Sequence, residues 1–88
     1  MQRDEFLATL AGDGFELIVT VEQEGDRFLD AHAHPFEAKA LILAGELRLC
    51  IGDKDRVYQA GQVFHLQASE THSERYGPEG VTYLVGRK

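Results

Sequence analysis

Residues 30–46 read D-A-H-A-H-P-F-E-A-K-A-L-I-L-A-G-E, and this stretch decides the fold. His32 and His34 stand two positions apart, and a largely apolar run follows them. Because side chains two positions apart point to the same side of a β-strand, both imidazoles face one side of an extended segment. The stretch therefore predicts a strand region whose inner face carries two histidines above an apolar wall. On that face the same alternation places Phe36, Ala38, Ala40 and Ile42.

The rest of the chain alternates in the same manner between short apolar segments and turn signals. Asp4 and Glu5 precede Phe6, Leu7 and Leu10, a pattern that predicts one short helix at about residues 3–11. About eight short strands follow over residues 15–86, and we expect turns at residues 44–45, 52–55 and 77–80. The 88-residue chain is thus predicted to be a single all-β domain, a sandwich or barrel with a short N-terminal helix.

Composition excludes several classes of function. The net charge of −6 argues against binding to nucleic acid or to an anionic membrane, since both require basic patches. No apolar run approaches the ~20 residues that span a bilayer, and the first ten residues lack the apolar core of a signal peptide. Cys50 is the single cysteine and has no internal disulfide partner, so we expect a reducing cytoplasmic location.

A third histidine, His72, opens a later strand. Glu74 and Tyr76 follow at two-residue steps and share its face as polar groups of the same pocket. If that strand lies beside His32 and His34, three imidazoles converge, and imidazole suits iron, nickel, copper, zinc and manganese. The alternative is that the histidines line a cavity without metal. A fourth histidine, His65, lies between Phe64 and Leu66 and is interpreted as a surface or interface residue.

These residues fit two motifs, and the chain resembles a small single-domain cupin. The first cupin motif, G-x5-H-x-H-x(3,4)-E-x6-G, is matched by His32, His34 and Gly45. The second, G-x5-P-x-G-x2-H-x3-N, is matched by Gly61 and His72. The resemblance covers about residues 15–86 and implies a double-stranded β-helix of the jelly-roll type.

The sequence departs from the first motif at the carboxylate. Ala38 stands where the family has its glutamate, and the neighbouring Glu37 would point to the other face under strict alternation. A bulge around Pro35 and Phe36 would turn Glu37 inward, so it is a candidate fourth metal ligand. In the second motif, the family's Pro, Gly and Asn positions hold Gln67, Ser69 and Tyr76.

The resemblance implies a divalent transition metal, Zn, Ni, Fe, Mn or Cu, held by His32, His34 and His72. Two other functions stay open: a metal-dependent dioxygenase, isomerase or decarboxylase acting on a small metabolite, and a metal-free binding or structural dimer. The sequence assigns no catalytic residue. A homodimer is expected, because open sheet edges need cover and so short a chain gains stability from extra buried surface. For a small-molecule ligand, the predicted pocket residues are Phe36, Ala38, Ala40, Phe64, Glu74 and Tyr76.

Overall fold

The computed structural model describes the whole chain, Met1–Lys88. One helix precedes six strands, and all six strands belong to one antiparallel sheet that rolls around its core. The prediction of an all-β domain with a short N-terminal helix is confirmed. The elements are α1 (Arg3–Gly12), β1 (Leu17–Gln23), β2 (Phe28–His32), β3 (Ala38–Ile51), β4 (Lys54–Gln59), β5 (Val63–Leu66) and β6 (His72–Arg87).

Two long strands, β3 and β6, form the spine of the sheet. They pair with each other from the Ala38–Arg87 pair to the Cys50–Ser73 pair. β6 also pairs with β1 and β2, and β3 also pairs with β4 and β5. The expectation of about eight short strands was wrong, because the turns predicted at residues 44–45 and 77–80 lie inside β3 and β6.

Those two predicted turns mark a shift in register rather than the end of a strand. Gly45 pairs with Val81, whereas Leu47 pairs with Tyr76, so β6 accommodates extra residues at this point. Gly45 has a φ of 79°, and a side chain there would collide with the backbone of Gly80. Only glycine meets both requirements, which accounts for the glycine in this position of the motif.

The main core lies inside the rolled sheet and is built mostly from β3 and β6. Alternate residues of both strands point inward, as the two-residue period requires. No histidine belongs to this apolar core. Its buried members are Ala38, Ala40, Ile42, Leu47, Leu49, Phe64, Leu66, Tyr76, Val81, Tyr83 and Val85.

Helix α1 covers the outer side of the same two strands. Phe6 and Leu10 are fully buried against Leu41 of β3 and Leu84 of β6. Leu41 alternates with the inward-facing Ala40, so this second cluster lies on the opposite face of the sheet from the main core. The helix therefore closes one face and leaves the histidine end free. No helix is long and apolar enough to cross a membrane.

Candidate metal centre

Three histidines converge at one end of the rolled sheet. His32 ends β2, His34 lies in the loop between β2 and β3, and His72 begins β6. The ring centroid of His32 is 4.2 Å from that of His72 and 5.0 Å from that of His34. One ligand-capable nitrogen from each ring lies within 4.8 Å of the others. The sequence-based expectation that these three side chains meet is thus met by the structure.

A bulge in β2 brings His32 to this position. Leu29 pairs with Glu74, whereas His32 pairs with His72, so β2 holds one residue more than β6 between the two pairs. Without that extra residue, Ala31 would stand opposite His72. A bulge around Pro35 and Phe36 was the condition for an inward Glu37, whereas this bulge lies in β2 and re-aims a histidine.

Backbone carbonyls orient two of the rings. The Nδ1 of His32 lies 2.7 Å from the carbonyl oxygen of Asp30, and the Nδ1 of His72 lies 3.0 Å from that of Glu70. A carbonyl only accepts, so each Nδ1–H is the donor in these hydrogen bonds. Each neutral ring is therefore fixed with an unprotonated Nε2 available, and this is how proteins orient imidazoles towards a metal.

The third ring, that of His34, is placed by stacking. It lies on Phe36 with a centroid distance of 4.9 Å and an interplanar angle of 14°. Burial lowers the pKa of His34 below its usual 6.5, and the nearby His32 and His72 lower it further. The neutral form, which carries the lone pair that a metal requires, is thereby favoured at neutral pH.

A hydrogen bond joins the two halves of the site. The backbone N–H of Ser69 donates to the carbonyl of His34 at 2.7 Å. Ser69 adopts a φ of 63° in the loop that leads into His72. The loop before the third histidine is thus attached directly to the segment that carries the second.

Glu74 adds a carboxylate to the cluster. Its Oε2 lies 3.4 Å from the Nε2 of His32 and 3.5 Å from the Nε2 of His72. The side chain is only 8% exposed, and burial raises the pKa of Glu74, although His72 and His32 oppose the increase. The site therefore combines three imidazoles with one buried acid.

A sequence model of the cupin domain matches residues 17–84 of the chain. The chain belongs to the cupin family. It therefore has the double-stranded β-helix expected from the two motifs, and the rolled sheet is that of a cupin.

Solved structures share this fold at low sequence identity. A protein of unknown function from Rhizobium leguminosarum bv. viciae 3841 superposes with a TM-score of 0.76 at 16% identity, covering 80% of this cupin and 66% of that chain. An RmlC-like cupin from Shewanella frigidimarina NCIMB 400 gives 0.69 at 17% identity, covering 81% and 64%. The DMSP lyase DddQ from Ruegeria pomeroyi DSS-3 gives 0.74 at 24% identity, covering 81% and 36%. The cupin thus spans about two thirds or less of these chains. A search of curated proteins finds no match to it.

Glu37, the candidate fourth ligand, is directed away from the histidines of this cupin. Its Oε2 contacts the Nε2 of His65 at 2.5 Å, and its Oε1 lies 3.9 Å from the Nζ of Lys88. The ligand-capable atoms that lie within 4.8 Å of one another belong to His32, His34 and His72, and neither Glu37 nor Glu74 joins that set. Ala38 faces the core, and its neighbour Glu37 points to the opposite face, as strict alternation predicts. The bulge lies in β2 and does not affect Glu37.

A cavity of about 50 Å³ adjoins the histidines. This volume has room for about one or two water molecules, so a larger ligand must approach from the exposed side. The predicted pocket residues Phe36, Ala38, Phe64 and Glu74 line it. The structure places the other two elsewhere, since Ala40 is fully buried in the core and Tyr76 lies beyond Glu74 along β6.

Tyr83 and Arg87 also line the cavity, although the alternation of the sequence does not predict it. Both lie on β6 after the register shift that separates Tyr76 from Val81. The shift changes which residues face inward from even to odd positions, so simple alternation from His72 puts them outside. Arg87 stacks over Phe36, with its guanidinium carbon 4.9 Å from the ring centroid, and its Nε is buried without a hydrogen-bond partner.

Proposed function

We propose that this cupin binds one divalent transition metal through His32, His34 and His72. The observation that carries the proposal is the convergence of three imidazole nitrogens within 4.8 Å of one another. The carbonyl-bound Nδ1 atoms of His32 and His72 support it, because they leave both Nε2 atoms free to act as ligands. When bound, such an ion supplies Lewis-acid chemistry to a small molecule. Among the candidate ions Zn, Ni, Fe, Mn and Cu, imidazole ligands alone do not select one.

The site has an open side. His32 is 24% exposed, whereas His72 is 2% exposed, so the cluster faces solvent on the side of β2. An ion held here would be reached by a ligand from solvent, as catalytic metal sites require. This exposure favours the second candidate function, a metal-dependent enzyme acting on a small metabolite. A metal-free binding or structural role is the outcome that remains if no ion binds.

Metal content tests the proposal. Wild-type protein, His72→Ala and His65→Ala are purified without a tag, incubated with Zn(II), desalted and analysed for zinc per chain. His65 is the matched control, since it is a histidine of the same roll that pairs with Glu37 outside the cluster. We expect about one zinc in the wild type and in His65→Ala and none in His72→Ala. His34→Ala, at a half-buried position, serves as a second variant if His72→Ala loses its β-sheet circular dichroism. Equal zinc in all four proteins would contradict the proposal.

Homodimer formation is also proposed. Strands β1 and β2 each pair only with β6, and they expose large apolar side chains. Leu17 is 56% exposed and Phe28 is 54% exposed. Burial of such residues against a second copy would cover open sheet edges.

The half-buried free thiol of Cys50 is compatible with the cytoplasmic location that we propose.

A further inference from the structure

Glu74 is a buried acid without a fixed positive charge beside it. Its ion-pair contacts are with two histidines, and no lysine or arginine is paired with it. Burial of an ionised carboxylate is costly unless a cation or strong donors compensate. No ion pair with a lysine or arginine therefore balances the charge of Glu74, although Arg87 lines the same cavity.

The two histidine contacts do not supply that group in their neutral form. The Nδ1 atoms of His32 and His72 donate to backbone carbonyls, so each Nε2 turns a lone pair towards the carboxylate. The distances of 3.4 and 3.5 Å exceed the usual length of an N–H···O hydrogen bond. Lone pairs facing one another at this distance are stabilised by a positive centre between them, which either a metal ion or a proton on one of the groups would supply.

The same distances fit two donors bound to one ion. Metal–nitrogen and metal–oxygen bonds in such sites are about 2.1 Å. Two donors at that radius are about 3.0 Å apart at a right angle and about 3.4 Å apart at a tetrahedral angle. The 3.4 Å contact of Glu74 with His32 lies at the upper end of this range, and the 3.5 Å contact with His72 lies just above it.

Neither candidate position in the first cupin motif supplies a carboxylate to the histidines. Ala38 occupies the glutamate position of the first cupin motif and contributes only a methyl group to the cavity wall. Glu37 is held by His65 and Lys88 on the other side of β3. Glu74 is the acid that the structure brings within 3.5 Å of two of the histidines, His32 and His72, while its carboxylate stays outside the set of ligand atoms within 4.8 Å of one another.

We propose that Glu74 is the fourth protein ligand of the metal centre, supplied by β6 two residues after His72 rather than by the first motif. This inference rests on the proposed three-histidine site. It assigns the centre a mixed set of three imidazoles and one carboxylate. Such a set would lower the net charge of a bound divalent ion.

The test compares Glu74→Gln with Glu37→Gln and wild type. Zn(II) affinity is measured by competition with a chelator, and the coordination sphere is read from the visible spectrum of the Co(II) form at saturating cobalt. Loss of an outer partner of a metal ligand weakens affinity about 10- to 100-fold, so loss of a ligand should cost about 100-fold or more. We expect that loss and a changed cobalt spectrum for Glu74→Gln, and no change for Glu37→Gln.

The spectrum separates a ligand from a positioning residue. A Glu74→Gln protein with the wild-type cobalt spectrum, whatever its affinity, would overturn the assignment while leaving the three-histidine site intact. Failure of the wild type to bind cobalt or zinc would overturn both. Glu74→Gln should fold, because an amide costs less to bury than a carboxylate. If it does not, Glu74→Asp replaces it, and we expect weaker zinc binding and a changed spectrum. A wild-type spectrum in that variant would again overturn the assignment.

Discussion

His32 and His72 are paired residues on the neighbouring strands β2 and β6, and their ring centroids lie 4.2 Å apart. The pairing depends on the bulge in β2, which moves His32 into the place that Ala31 would otherwise occupy. Each ring is then fixed by the carbonyl two residues before it, that of Asp30 or Glu70. Two strands from distant parts of the chain thus present their histidines in the same way to one point.

Metal should stabilise the folded protein. A ligand that binds only the folded state at 100 times its Kd adds about 2.7 kcal/mol to the free energy of unfolding. We expect the melting temperature of the wild type to rise on addition of Zn(II) and to fall again with a chelator. His34→Ala should show no such rise, and His65→Ala should show the full rise. A rise of the same size in His34→Ala would mean that zinc binds elsewhere.

The lowered pKa of His34 gives the metal-free protein a defined pH dependence. Because the folded-state pKa lies below the usual 6.5, the unfolded chain takes up the proton first as the pH falls. The free energy of unfolding therefore decreases as the pH drops from about 6.5 towards the folded-state pKa. Replacing His34 with Gln should flatten this part of the profile, measured by urea denaturation at a series of pH values. A His34 NMR titration midpoint at or above 6.5 would contradict the account.

Gly45 should be intolerant of a side chain. Alanine there would meet both a φ of 79° and the backbone of Gly80. Gly52 is a matched control, since it has a φ of 61° but open space around it. We expect Gly52→Ala to cost about 1–2 kcal/mol of unfolding free energy, the cost of left-handed backbone alone. Gly45→Ala should cost clearly more in the same urea experiment. Equal losses of unfolding free energy in the two variants would show that the backbone around Gly80 moves aside at no cost.

The homodimer is tested by light scattering coupled to size exclusion. We expect the mass of two chains for the wild type, since apolar side chains such as Phe28 and Leu17 are left exposed on strands at the sheet edge. Phe28→Lys or Leu17→Lys should shift the mass towards one chain. Leu43→Lys is the control, because Leu43 is 38% exposed but lies on β3, which has partner strands on both sides. A wild-type mass of one chain at micromolar concentration would contradict the prediction.

The convergence of the three histidines could be predicted from the sequence, whereas the bounds and register of the strands around them could not. The two-residue period predicts that His32 and His34 share one face. The resemblance to the two cupin motifs then predicts that His72 meets them. The same period predicts that Glu74 faces inward and Glu37 outward. What it cannot predict is a change of register, since extra residues in one strand are visible only against its partner.

The wrong strand count and the unpredicted cavity residues both follow from these changes of register. Gly45 and the residues around Gly80 have the composition of turns, yet they lie within β3 and β6, where pairing with a long partner overrides local preference. Beyond the shift the inward positions change parity, so Tyr83 and Arg87 reach the cavity without a local signal. The position of the bulge in β2 is likewise set by its pairing with β6.

The most direct measurement is an anomalous-difference map from a crystal of the zinc-loaded wild-type protein, recorded at the zinc absorption edge. The account predicts a single peak about 2.0–2.1 Å from one nitrogen each of His32, His34 and His72. A map without a peak among these three histidines, or with its peak at the Glu37–His65 pair instead, would contradict the assignment of this cluster as the metal site.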